Sequence, residues 1–174
     1  AYAPFVIASN LMLMIYAGRH ISGGHYNPAI TISIYLRGIF DKNNILPYIT
    51  LHIIGAVSAV LVVDKFSLSS TTSSGIFDLG PEAVIAEFFF TFALAYVVLH
   101  VATTESTLDN NYYGAAIALV VLVGAMTVGD VSLASFNPAV SSALVFSGKI
   151  SLVDSWMHFA PQFIGAILAT YLYR

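Results

Sequence analysis

Apolar runs long enough to cross a bilayer recur along this chain, separated by short polar punctuation. A helix spanning the ~30 Å hydrocarbon core needs about 20 mostly apolar residues, with about 17–25 usable. Five segments meet that length: residues 2–18, 46–63, 82–102, 112–128 and 155–173. Two further apolar stretches, 28–40 and 138–146, are too short to span. At about 1.5 Å per residue a nine-residue helix covers about 13 Å, close to half of that core. Each short stretch opens with Asn-Pro-Ala: Asn27, Pro28 and Ala29 in the first, Asn137, Pro138 and Ala139 in the second. Paired short hydrophobic segments at matching positions mark an inverted-repeat transport fold.

A single offset tests the repeat. Asn27, Pro28 and Ala29 lie 110 positions before Asn137, Pro138 and Ala139, and Ile54-Gly55-Ala56 lies 110 before Ile164-Gly165-Ala166. Gly38 and Gly148 match at the same offset. One offset that links a loop motif to the following helix without a gap indicates duplication. Three crossings separate the first span from the fourth, so these run in opposite directions and the loops after them enter from opposite faces. Arg19, Arg37, Lys42 and Arg174 fall on one face, Lys65 and Lys149 on the other, which places the first short helix on the cytoplasmic side. The segment 66–80 is Ser/Thr-rich and reads as a flexible external connection, and 103–111 as a short polar turn. Trp156 and Tyr173, near the ends of the last span, suit interfacial anchoring.

Composition agrees with the pattern. Hydrophobic residues make up 58% and charged ones 9%, against about 45–50% and about 25% in soluble domains. Fifteen charges cannot coat a soluble domain of this size. The net charge of −3 says nothing about nucleic acid, but no basic stripe is present to neutralise phosphates, so no nucleic-acid partner is expected. Without cysteine, disulfides, thiolate metal sites and thiol catalysis are excluded. The chain begins at Ala1 with no charged segment before its first apolar run, which reads as a start partway into a longer protein.

The chemistry concentrates at the two Asn-Pro-Ala motifs. Asparagine favours the helix N-cap, and proline the first helical position, where its missing N–H is no loss. An Asn oxygen that accepts from its own helix leaves the NH₂ pointing away, so the cap fixes the amide. Two such caps meeting at mid-membrane would put two donors and two positive helix ends at one point of a pore. A passing water would turn its oxygen toward Asn27 and Asn137 and its hydrogens away, which breaks a proton wire, while the helix ends oppose cations. The backbone before each motif is non-helical. At membrane depth it must be buried or line water, so Gly23, Gly24, His25 and Tyr26, with Ser135 and Phe136, are expected to line the path.

The segment Ser22-Gly23-Gly24-His25-Tyr26-Asn27-Pro28-Ala29 resembles the first signature loop of the aquaporins, or major intrinsic proteins. Ala134-Ser135-Phe136-Asn137-Pro138-Ala139 resembles their second, residues 87–92 their Glu-x-x-x-Thr-Phe segment, and 161–169 their last helix. The match covers essentially the whole chain. It implies an all-α membrane protein, an inverted-repeat helical bundle with two re-entrant half-helices in a single channel domain, 1–174. Residues 1–65 would form a first repeat lacking its first helix, and 81–174 a complete second repeat. Five spans stand where the family has six, which implies an upstream helix with its own Glu motif.

The resemblance also implies a passive channel for water and small neutral solutes, homotetrameric, in a plasma or vacuolar membrane, with no cofactor and no metal. Glu87 would be a structural buried acid that accepts bonds from re-entrant backbone. The family's constriction maps to Ile7, Ala125 (or a neighbour one position away), Ala134 and Val140. The residue after the second motif is commonly arginine in the family, and here it is Val140. Ala134 and Val140 are similar to the pattern of some plant vacuolar-membrane aquaporins, which implies glycerol, urea or ammonia beside water.

Competing readings leave fewer residues explained. An intramembrane hydrolase needs a nucleophile and base at mid-membrane, and no Ser-His or paired-acid arrangement stands out. An ion-coupled transporter needs titratable groups at the half-helix tips, where only His25 is close, and His25 also suits a loop brace. His20, His52, His100 and His158 lack a second ligand at metal spacing and fit packing or interface roles. Gly55 and Gly165 are expected to permit close helix approach. A structural membrane protein, or an incomplete fragment without transport, is the remaining alternative.

Overall fold

Seven helices carry the fold in the computed structural model, which describes residues 2–66 and 75–173. They are α1 (Ala3–Ser22), α2 (Pro28–Leu36), α3 (Ile45–Lys65), α4 (Pro81–Thr103), α5 (Tyr113–Ser132), α6 (Pro138–Phe146) and α7 (Trp156–Tyr173). No strand occurs among the described residues. α2 and α6 are nine residues each, half the length of their neighbours.

Backbone chemistry sets the ends. α1 runs four residues past the expected Gly18, because Arg19 to Ser22 can stay helical until Gly23 takes φ 77° and its N–H donates to Arg19 O. α5 likewise continues beyond 128 to a left-handed cap at Leu133. α2 stops at Leu36, short of the expected 40, where Gly38 turns the chain at φ 89°. Gly148 follows α6 at φ 70°. The matched glycines end matched half-helices.

α3 with its preceding turn, α4 and α5 are long and apolar enough to cross a membrane by length and composition. α1 and α7, 20 and 18 residues long, carry polar groups such as Asn10 and Arg19, or His158, Gln162 and Thr170, in place of an uninterrupted apolar run. In α7 these three side chains are buried inside the bundle.

The main core gathers Ile15 of α1, Ala29 and Ile30 of α2, Leu94 and Ala95 of α4, Ile117 and Val121 of α5, Phe136, and Ala166 and Ala169 of α7. α4 packs most extensively on α7, and α1 on α5. Gly165 makes the α4–α7 approach close: a Cβ there would lie 2.6 Å from Phe88 O and 3.1 Å from Phe92 N. Its repeat partner, Gly55 of α3, has nothing within 4 Å, so the close approach expected at both glycines exists only at Gly165. The physical reason is that α3 packs on α6 and α2, among the described residues no helix covers it as α4 covers α7, and none of its residues is buried.

Of the Ser/Thr-rich segment 66–80, residues 67–74 lie outside the described residues, as does Arg174. The end of that segment is docked: Phe77 N donates to Lys149 O at 2.7 Å, and buried Leu79 packs with Ala83 and Ile150.

Candidate pore

The two half-helices start identically. Asn27 (φ −153°, ψ 117°) and Asn137 (φ −155°, ψ 114°) are extended N-caps, each followed by Pro at the first helical position. Asn27 Oδ1 accepts from Ala29 N at 2.9 Å and Ile30 N at 3.4 Å, and Asn137 Oδ1 accepts from Ala139 N at 2.9 Å. With the oxygen committed, each nitrogen crosses to the other loop. Asn27 Nδ2 donates to Phe136 O at 2.9 Å, and Asn137 Nδ2 donates to Tyr26 O at 2.9 Å. The structure thus brings the two helix tips together through reciprocal bonds. An amide nitrogen carries two hydrogens, so each Asn keeps one N–H beyond this lock.

Strained backbone aims those carbonyls. Tyr26 and Phe136, the residues before each Asn, both sit at positive φ (46° and 48°). One residue apart from them, Gly23-Gly24 (77°, 66°) and Leu133-Ala134 (60°, 48°) repeat the same left-handed pair. Non-glycine residues in this region are uncommon and persist where surrounding structure enforces them. At Phe136 that structure is packing: its ring is fully buried, stacks 5.1 Å from Phe90, and occupies space that a side chain at Gly124 would fill.

Glu87 holds the second loop from α4. It is fully buried, and its carboxylate accepts from four donors. Oε1 takes Ser132 Oγ at 2.7 Å and Ser135 N at 3.0 Å; Oε2 takes Phe136 N at 2.7 Å and Gln162 Nε2 at 2.7 Å. Gln162 also bonds Ser141, whose hydroxyl reaches Ser135 Oγ at 2.7 Å and His158 Nδ1 at 3.1 Å. Sequence reasoning did not single out Ser132, Ser141 or Gln162. A glutamine inside an apolar span was the available signal.

The first loop has half of this support. His25 Nδ1 pairs with Thr31 Oγ1 at 3.3 Å, and Tyr26 OH donates to Met14 O at 3.1 Å. By the 110 offset His25 and Tyr26 match Ser135 and Phe136, and His52 matches Gln162. Among the described residues no acceptor reaches the backbone N–H of His25 or Tyr26, and buried His52 Nδ1 has no partner. Of the other histidines, His100 Nδ1 pairs with Tyr96 O at 2.8 Å beside Tyr173. No group of three metal-ligating side chains occurs among the described residues.

A cavity of about 920 Å³ runs along these loops. Gly23, Gly24, His25, Tyr26, Asn27, Ser135, Phe136 and Asn137 border it, as do Ile7, Ala134 and Val140. Pro28, Ala29, Pro138 and Ala139 stand behind the asparagines, outside the lining. Ala125 is also absent from the wall, which corrects that expected position. The cavity-facing residues of α5 are Tyr113, Ile117 and Val121. At about 100° per residue, position 125 points roughly 80° away from the centre of that stripe. Position 124 returns to it, but Gly124 is covered by Phe136. Arg19, which the sequence marks only as one of the topology-setting basic residues, lines the cavity beside Tyr113.

Comparison with known proteins fits this geometry. The Major intrinsic protein family model matches residues 3–117 and 81–174. Aquaporin NIP1-2 of Arabidopsis thaliana and nodulin-26 of Glycine max are each 29% identical over 94% of this chain, which spans 58% and 61% of their respective lengths. Aquaporin Z of Photorhabdus laumondii is 29% identical over 94% of the chain and 77% of that protein. The X-ray structure of the aquaglyceroporin from Plasmodium falciparum shares the fold, with a TM-score of 0.76 at 19% identity over 95% of this chain and 78% of that one. The chain, an all-helical multi-pass membrane protein, belongs to the major intrinsic protein family.

Proposed function

We propose that the chain forms a passive transmembrane channel for water and small uncharged solutes such as glycerol, urea and ammonia. The observation that carries this reading is the reciprocal lock at the half-helix tips, Asn27 Nδ2 to Phe136 O and Asn137 Nδ2 to Tyr26 O. The lock leaves one amide N–H of each Asn to the cavity and sets two helix N-termini against it. A solute oxygen accepts there, and a cation meets positive ends. Glu87 serves this by holding the Ser135–Phe136 backbone that presents one of the acceptors.

Ile7, Ala134 and Val140 would form an apolar ring beyond the asparagines, and its α5 side is left to Val121, one turn deeper. With no donor at the ring, small solutes carrying apolar edges are favoured beside water. Purified protein in vesicles tests this by light scattering. Water, glycerol and urea should equilibrate faster than in empty vesicles, with no coupled ion gradient. Exclusion of urea and glycerol as strongly as of ions would end the solute reading.

The first repeat, residues 1–65, would lack a helix that packs on α3 as α4 packs on α7. Open space at Gly55 and the unpartnered His52 Nδ1 support this reading. Assembly as a homotetramer belongs to the same proposal, and native mass spectrometry from detergent reads it.

A further inference from the structure

Among the described residues Arg19 is the one lysine or arginine on the cavity wall, and it lies at the end opposite the proposed apolar ring. Arg19 occupies the last turn of α1, where the negative helix end favours a cation. Its Cζ lies 4.2 Å from the centroid of the Tyr113 ring on α5. That ring is itself fixed: Tyr16 packs edge-on at 5.1 Å, and Tyr16 OH donates to Asn111 O at 3.0 Å while accepting from Ala115 N at 3.2 Å. A guanidinium held over an aromatic face keeps its charge and its N–H edge. Arg19 forms no ion pair with a carboxylate among the described residues, so no neighbouring acid neutralises that charge.

Placement along the path follows from α1. From Ile7 to Arg19 the helix advances about 18 Å. Between them Ile15 stands beside the first loop, its carbonyl oxygen 3.6 Å from the Cβ position of Gly24, three residues before Asn27. The repeat shows that this position is not demanded by the fold. Offset by 110, Arg19 matches Gly129, where a side chain would meet nothing within 4 Å.

We infer that Arg19, clamped on Tyr113, is a second selectivity element at the α1–α5 mouth, a fixed positive charge that repels cations before they reach the asparagine lock. This rests on the channel reading. It gives the chain a charge barrier at one mouth while the ring at Ile7, Ala134 and Val140 stays uncharged. A charged side chain beside a membrane path is costly and marks function. Neutral solutes meet the guanidinium as a set of N–H donors.

The test uses full-length protein in vesicles, measuring potassium and water permeability on the same preparation. Arg19→Gln removes the charge at similar size, and the potassium-to-water permeability ratio should rise about tenfold or more, while Arg19→Lys should restore most of the exclusion. A second arm needs no variant. Raising salt from about 0.01 M to 1 M shortens the Debye length from about 30 to 3 Å, so the wild-type ratio should climb with salt. A ratio indifferent both to Arg19→Gln and to salt, in protein that conducts water, overturns the inference and leaves the channel reading standing. Wild-type vesicles no more permeable to water than empty ones overturn both.

Discussion

A buried carboxylate costs several kcal/mol unless donors surround it, and Glu87 has four. Glu87→Gln keeps the shape but turns one acceptor into a donor. Whichever way the amide lies, an NH₂ then faces Ser132 and Ser135 N, or Phe136 N and Gln162. The expected cost is about 1–3 kcal/mol for the stranded buried donor, read as a lower thermal midpoint of the detergent-solubilised protein. An unchanged midpoint would mean that the loop holds itself. Asn137→Asp acts on transport instead. Its carboxylate oxygen would face Tyr26 O where a donor now sits at 2.9 Å, and a negative charge would enter the path. Cation leak should rise, and water flux should fall, in the same vesicle assay; intact flux with no leak would place Asn137 off the path. At this scale the Asn-Pro pairs were legible, because capping is local chemistry. What each amide nitrogen bonds was not, since Phe136 O lies 109 positions from Asn27 in the chain. Nor was the match between Gly23-Gly24 and Leu133-Ala134, because the backbone repeats where the side chains do not.

Elements divide by what covers them. α7 buries seven of its residues and α3 none, although the two share the offset. The sequence shows their common Ile-Gly-Ala but not which one has a partner, because packing depends on a neighbouring helix and not on the helix itself. Glycine substitutions expose the difference. Gly165→Leu would drive a side chain into Phe88 O and Phe92 N, which lie on α4 backbone that cannot yield, and should cost more than the about 1–3 kcal/mol typical of overpacking. Gly55→Leu meets open space and should leave the thermal midpoint of this chain unchanged. Supplying an added N-terminal apolar helix and repeating Gly55→Leu reads the proposed groove directly. If the helix seats against α3, the substitution becomes destabilising and the parent gains stability. If Gly55 stays tolerant, α3 faces lipid. The ends of α1 and α5 escaped the hydropathy pattern for a related reason, since Arg19, His20 and Ser22, and Asp130 and Ser132, interrupt the apolar run in helices whose stop is a left-handed residue.

Across the whole molecule the inverted repeat was readable because one offset ties loops to helices, whereas the shape of the path was not. Ala125 shows why. Counting from Asn137 fixes a position in sequence, but the helical phase of α5 turns it away from the wall, and Phe136 covers the alternative at Gly124. The proposed ring would therefore be three-sided, and Val140, on the first turn of α6, would be the residue through which its width can be altered. Val140 is 41% exposed, so a longer side chain has room to extend along the cavity without disturbing the core. Val140→Arg would place a guanidinium across from Ile7 and beside Ala134. Large solutes should be lost first, because the added group both fills the lumen and binds water: glycerol and urea flux falling about tenfold or more, water flux falling less, and potassium exclusion tightening. Paired with Arg19→Gln, it should return much of the cation exclusion lost at the other mouth, since two barriers in series are limited by the higher. Solute flux unchanged by Val140→Arg would show that Val140 faces the open side of α6 and not the path.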